Sequence, residues 1–288
     1  MRYPGSKRKF KKPILNFIKS FYYKYSNPNM IYIEPFAGMF HIGQEVLKQF
    51  DFNDVILNDI DKGIYCYWNA IIEYPNDLID KIEYFEPSVD KFFEFKRFFN
   101  NEINNIEIKI VDIAFKKIAI HQMSFSGLGA KSGGPIGGIA QKGKYKIDSR
   151  WNKKKIKKEI VYLNELCKNK INKCYSKDFS YFLNKSDNNF IYIDPPYYEK
   201  GEDLYQYAFN KKEHIKLAEL LKNEKSIWLL SYDNNEQIKK MYDWANIVEI
   251  SANYTIKTIR NKKELLITSK KWKNLLENIN NDNNIFKN

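Results

Sequence analysis

The sequence predicts an α/β fold, a mostly parallel sheet interrupted by an inserted, mainly helical and loop-rich segment. Three observations predict it. Short apolar runs rich in β-branched and aromatic residues stop abruptly at polar or acidic residues. Helical apolar patterns lie between several of them. From about Glu73 to Cys174 no run has an acidic end, and lysine and glycine accumulate instead. Strands that alternate with helices build a sheet covered on its faces, which is the arrangement of parallel α/β folds.

The strand-length runs are, in order, MIYIE (30–34), VILND (55–59), FIYID (190–194), SIWLLS (226–231), IVEIS (247–251) and ELLIT (264–268). Each is too short for a buried helix and carries the residue types that fit a pleated surface. A helix is expected after Asn210, an N-cap residue with Glu213 at N3. Leu217, Leu220 and Leu221 then form one apolar stripe. KFFEFKRFFN (91–100) is also expected to be helical, with aromatics on one side. SFSGLGAKSGGPIGG (124–138) reads as a long glycine-rich loop. Lys142, Lys144, Lys146, Arg150, Lys153, Lys154, Lys155, Lys157 and Lys158 follow it. The expected division is a discontinuous sheet domain at 1–72 and 175–272, an insertion at 73–174, and an Asn-rich tail at 273–288 that should fray.

Composition bounds the function. The chain has 288 residues, 43% of them hydrophobic, enough for one good core or a core plus a modest inserted domain. Forty-eight Lys and Arg against 35 Asp and Glu give a formal net charge of +13. That charge fits a polyanion such as nucleic acid, but a Lys-, Asn- and Ile-rich proteome would produce it too. Cys66, Cys167 and Cys174 are odd in number and lack a CxxC pair. No disulfide framework or structural zinc is therefore expected, and the chain reads as intracellular. His41, His121 and His214 lie far apart, which argues against catalytic zinc. The polar opening MRYPGSKRKF is unlike a signal peptide, and no apolar run approaches the roughly 20 residues of a membrane span.

Open α/β sheets bind ligands beyond the carboxyl ends of their strands. Three expected strands end there in an acid: Glu34, Asp59 and Asp194. Glu34 opens EPFAGMFHIG, a turn into a helix. Asp59 lies 25 residues later, a spacing suited to holding ribose hydroxyls, although a helix N-cap would look the same. The sharpest signal is Asp194-Pro195-Pro196-Tyr197 directly after a strand. Two prolines have no amide hydrogens and cannot continue a ladder. They hold the Asp194 carboxylate and the Pro195 carbonyl as two fixed acceptors for one primary amine. Tyr197 adds a flat ring able to stack on a base.

In these motifs the sequence resembles the Dam-like N6-adenine DNA methyltransferases. RYPGSK (2–7), EPFAG (34–38), NDID (58–61), DPPY (194–197), YAF (207–209), AELL (218–221), LLSYDN (229–234) and KELLIT (263–268) occur in family order. The resemblance implies a Rossmann-like S-adenosylmethionine-dependent sheet with a target recognition insertion. It implies that Tyr3 and Lys7 contact S-adenosyl-L-methionine, that Glu34, Pro35, Phe36 and Gly38 form the methionine-side loop, and that Asp59 binds the ribose. Asp178 and Phe179 would flank the cofactor adenine. Asp194 would contact both the cofactor and the target amine of a flipped-out adenine, with Pro195, Pro196 and Tyr197 completing the catalytic motif. One departure stands out: Met39 and Phe40 follow Gly38, where the family often carries a second glycine.

The same resemblance implies double-stranded DNA as partner and a cytoplasmic enzyme, bacterial or phage-encoded. It leaves open whether a cognate restriction endonuclease accompanies it or it acts alone. A monomer is the simplest expectation. In the insertion, Ser126, Lys131, Lys142, Lys144, Arg150 and Lys153 are the candidate DNA contacts. The lysine run could equally be a solvated helix face, and the glycine loop a disordered connector. Two other functions compete. One is an RNA or protein amino-group methyltransferase; the other is a DNA binder that has lost catalysis, against which the intact DPPY, Lys7 and Asp59 speak.

Overall fold

The computed structural model describes residues 1, 3–5, 7–104, 107, 109–199, 201–252 and 262–274. Arg2 and Ser6 of the first motif and residues 275–288 of the expected tail lie outside the described residues. In chain order the first elements are α1 (Lys11–Tyr25), β1 (Ile31–Glu34), α2 (His41–Gln49), β2 (Asp54–Asn58) and α3 (Lys62–Glu73). Four helices follow: α4 (Pro75–Tyr84), α5 (Val89–Arg97), α6 (Ile110–Met123) and α7 (Lys153–Cys167). The chain then forms β3 (Ile171–Tyr175), β4 (Asn189–Ile193), α8 (Gly201–Leu204), α9 (Lys211–Lys222) and β5 (Ile227–Asp233). It continues with α10 (Glu236–Met241), β6 (Asn246–Ala252) and β7 (Lys262–Thr268). Every apolar run singled out above is a strand, and the segment from 91 to 97 is helical, continued by a π-helical turn at Phe98–Glu102.

By packing, the chain groups into two units. One comprises the described residues of 6–58, 177–201 and 208–288. Its strands follow the order β2-β1-β4-β5-β7-β6. The first four are mutually parallel, and β7 runs antiparallel to both β5 and β6. The mostly parallel sheet with helices between its strands is the α/β arrangement that the sequence predicts, and it agrees with the Rossmann-like sheet that the resemblance implies. β4 and nearly all of β5 are buried, as continuous apolar runs in a doubly covered sheet should be. α1 covers one face with Ile14, Phe17, Ile18 and Phe21, spaced at one helical stripe. The Phe21 ring lies 5.0 Å from Phe190 of β4. α9 begins with the expected capping box. Asn210 accepts from the amides of Lys212 and Glu213, and the Glu213 carboxylate accepts from the Asn210 amide.

The other unit comprises the described residues of 1–5, 59–176 and 202–207, and so includes α3 to α7. α3 buries Ile64, Cys66, Tyr67, Trp68, Ala70 and Ile71, residues on more than one side, because it packs against both α6 and α7. An aromatic cluster of Phe85, Phe95, Phe115 and Trp151 ties α5, α6 and the approach to α7 together. The glycine-rich stretch after α6 is no bare connector. Ser124 bridges to Pro135, and its hydroxyl accepts from the Gly129 amide at 2.9 Å. The Ser132 hydroxyl donates to Gly134 O, and the Ile136 amide to Met123 O. Among the described residues, no helix is long and apolar enough to cross a membrane.

Candidate active site

β1 and β4 are adjacent and parallel, so their carboxyl ends share one sheet edge. Glu34 is the last residue of β1 and is buried, accepting a hydrogen bond from the Tyr32 hydroxyl at 2.7 Å. Burial, countered by that hydrogen bond but reinforced by the charge of Asp194, holds the Glu34 carboxyl well above the usual range. Asp194 follows the end of β4. Its Oδ1 accepts from Lys7 Nζ at 2.9 Å and from the Ser231 hydroxyl at 3.2 Å.

Lys7 is 2% exposed and lies at the centre of this arrangement. Its ammonium also reaches Glu264 Oε2 at 3.1 Å and the Tyr197 hydroxyl at 3.1 Å, and sits 4.5 Å from the Tyr197 ring centroid. Burial disfavours its charge, but the Asp194 and Glu264 carboxylates outweigh that and hold it above the ordinary lysine range. Asp194 is also raised above its own ordinary value, which for a carboxyl favours the neutral form. Burial raises it to about 6, with Glu264 adding to the rise and Lys7 and Ser231 opposing it. Tyr197 is buried, and its hydroxyl donates to Glu264 Oε1 at 2.8 Å. The DPPY turn is thus anchored from two further strands, β5 through Ser231 and β7 through Glu264.

The loop from Glu34 into α2 is pinned by Asn58 at the end of β2. Its side-chain amide donates to Pro35 O at 2.9 Å and to Lys177 O at 3.0 Å, and Asn58 O accepts from the Ala37 amide. Gly38 and Phe40 both have positive φ, 46° and 52°. Phe36, Phe179 and Phe209 form an aromatic trio with centroids 5.2–5.4 Å apart. Asp178 caps the 3-10 turn at Phe179–Phe182 and pairs with Lys216 at 2.9 Å.

Tyr3 and Asp59 belong to the other unit. Burial, with the carboxylates of Asp59 and Asp61 adding to it, keeps the Tyr3 phenol well above its usual range, and the Tyr3 ring lies 5.3 Å from His121 and 6.4 Å from Tyr205. The N-cap of α3 is Asp61, not Asp59; the Asp59 carboxylate instead accepts from the Asp61 amide at 2.9 Å. Of the insertion candidates, Ser126, Lys131, Lys142, Lys144 and Arg150 are exposed, alongside the exposed rings of Phe125 and Tyr145. Lys153 pairs with Glu86 at 2.5 Å. Among the described residues, no group of three His, Cys, Asp or Glu side chains could hold a metal ion.

Residues 3–256 match the family described as D12 class N6 adenine-specific DNA methyltransferase. The chain belongs to this family. It is also 25% identical over 242 residues to the type II methyltransferase M.CviBI of Paramecium bursaria Chlorella virus NC1A, an alignment covering 78% of this chain and 82% of that protein. The enzyme is a site-specific DNA methyltransferase that acts on adenine N6 and requires a methyl donor. The methyltransferase carries three supporting residues, Asn58, Ser231 and Glu264, that lie inside the NDID, LLSYDN and KELLIT motifs but receive no role from the sequence alone. The role of Glu264 is hidden in the sequence because it stands near the start of its strand, not at the carboxyl end. β7 is antiparallel, and its register sets Glu264 against Asp233, so an early β7 residue reaches the edge where parallel strands finish.

Proposed function

We propose that the methyl donor is S-adenosyl-L-methionine and that the acceptor adenine is presented extrahelically to the DPPY turn. The observation that carries this reading is the buried Lys7–Asp194–Glu264–Tyr197 cluster at the ends of adjacent strands. The residues suit the donor chemically. Asp194, ionised above about pH 6, suits the ammonium and sulfonium of the donor, Glu34 offers a carboxyl to hydrogen-bond its amino-acid side, and the trio of Phe36, Phe179 and Phe209 suits a flat adenine. When bound, the donor supplies an electrophilic methyl carbon. Lys7, Pro35 and Gly38 would hold its amino-acid side. Tyr3 and Asp59 would take the ribose end, and Asp178, with Phe179, the adenine.

The chain's own task is to make a poor nucleophile adequate. The adenine N6 lone pair is delocalised into the ring. Acceptance of its N–H hydrogens by Asp194 and by the Pro195 carbonyl favours a more tetrahedral nitrogen and offsets its growing positive charge. Lys7 and Ser231 both bind Oδ1 of Asp194, which orients Oδ2 as the acceptor for the amine. Pro196 keeps the turn rigid, and the Tyr197 ring offers a stacking face. Alignment contributes most, roughly 7–11 kcal/mol in favourable cases. Unstacking the base costs a few kcal/mol, and aromatic stacking returns about 1–3 kcal/mol.

The functional division we assign is catalysis to 1–72 and 175–272 and recognition to 73–174. Ser126, Lys131, Lys142, Lys144, Arg150 and Lys153 are assigned to double-stranded DNA. The viral relative's name as a type II methyltransferase supports a cognate restriction endonuclease as the physiological partner. We take the active form as a monomer in the cytoplasm of a bacterial or phage-infected cell. The test is transfer from tritiated S-adenosylmethionine to unmethylated duplex DNA, followed by nucleoside analysis. Label should appear in N6-methyladenine and fall by about 10²–10³-fold in Asp194→Asn, with DNA binding retained. Full activity in that variant would overturn the assignment.

A further inference from the structure

Asp61 makes more bonds than a helix cap needs. Its Oδ1 accepts from the amides of Gly63 and Ile64 at 2.7 and 3.3 Å, which completes the N-terminus of α3. An asparagine or serine would do that equally well. Its Oδ2, however, binds Lys117 Nζ of α6 at 2.5 Å, and its own amide donates to the Asp59 carboxylate at 2.9 Å. Lys117 is 3% exposed and Asp61 5% exposed. The lysine stem runs over Gly63, where a Cβ would come within 2.7 Å of Lys117 Cδ, and its ammonium lies 5.1 Å from the Phe99 ring centroid. A buried ion pair adds little stability over well-packed apolar residues, and its best-attested use is to fix one arrangement among several.

The arrangement fixed here is the turn that carries Asp59. We infer that Lys117 is a positioning residue for donor binding: it clamps Asp61, and the Asp61 amide in turn orients the Asp59 carboxylate. This inference rests on the reading of Asp59 as the ribose-binding acid. Lys117 lies on the helix that runs directly into the glycine-rich turn through His121, whose Nδ1 is hydrogen-bonded with Gly127 O at 2.8 Å, and Ser124. One helix therefore supports both the turn that carries Asp59 and the loop assigned to DNA.

The test is calorimetric binding of S-adenosylmethionine to the wild-type chain, Lys117→Met, Asp59→Asn and the double variant, with thermal melting of each. Lys117→Met should raise Kd and KM for the donor on the order of tenfold, with kcat at saturating donor and KM for DNA unchanged. The double variant should bind no more weakly than Asp59→Asn alone. A purely structural role would lower the melting temperature without this split. Wild-type affinity in Lys117→Met beside a weakened Asp59→Asn, or losses that multiply in the double variant, would overturn the inference alone. Wild-type affinity in Asp59→Asn would overturn the reading of Asp59 and the inference with it. Should Lys117→Met not fold, Asp61→Asn/Lys117→Met removes both charges and keeps the cap. It should melt like the wild type yet bind the donor more weakly, and undiminished binding would overturn the inference.

Discussion

Asp194 has to be ionised to draw hydrogens from an amine, yet its surroundings favour the proton. Burial lifts its carboxyl to about 6, with Glu264 adding to the rise, and Lys7 and Ser231 only partly reverse it. The sign follows directly. A carboxyl raised in the folded state favours folding while protonated, below its ordinary range near 4, and that contribution is lost as pH rises through about 6. The active, charged form is therefore gained at some expense of stability. Lys7 stays cationic throughout that window, because its neighbours hold it above the ordinary lysine range. The acid limb of the kcat/KM profile should consequently break near pH 6, falling about tenfold per unit below it. Rates measured from pH 4.5 to 8 with duplex DNA would check this. A profile flat down to pH 4.5 would mean that the Asp194 carboxyl is not the titrating acceptor.

At the scale of elements, the entry into α2 shows two opposed costs in one side chain. Phe40 occupies the N-cap position with φ 52°, a left-handed conformation that costs an ordinary residue about 1–2 kcal/mol. Its ring is fully buried, lies 6.5 Å from Tyr32, and leaves no room for a side chain at Gly43, where a Cβ would come within 1.8 Å of the ring. Removing a buried phenylalanine costs about 3–5 kcal/mol, so burial outweighs the strain. Both Phe40→Ala and Phe40→Gly should destabilise the protein. The glycine variant should be the milder by about 1 kcal/mol, because only glycine relieves the backbone. Denaturant melts of the pair would decide, and an alanine variant more stable than the glycine one would refute the strain. The departure at residues 39–40 was thus visible in the motif, but its compensation was not. The same holds more widely. Strand runs and the Asn210 cap were legible because period and capping are local. The partners of Ser231 and Glu264, though both residues lie in named motifs, and the role of Lys117 were not, because strand register and helix packing bring them together.

For the whole molecule, the excess of 13 positive charges matters only where cations remain available to phosphates. The structure separates the basic run into two kinds. On α7, Lys153 pairs with Glu86 and Lys157 with Glu83, so part of that face is neutralised within its own unit. Lys142 and Lys144 are exposed on the segment that follows the glycine-rich turn, close in sequence to the exposed ring of Tyr145. Among the described residues no acidic partner is recorded for either of them. Counterion release makes the distinction measurable, since each phosphate neutralised contributes about 0.9 to the slope of log K against log salt. Replacing Lys142 and Lys144 by glutamine should lower that slope by about 2. The same change at Lys153 and Lys157 should lower it by less than about 1, because those ammonium groups already have carboxylate partners. Fluorescence anisotropy with a duplex oligonucleotide across a salt series would read both. Equal losses would show that the α7 pairs open on DNA, and no loss from Lys142 and Lys144 would move the phosphate contacts away from this segment.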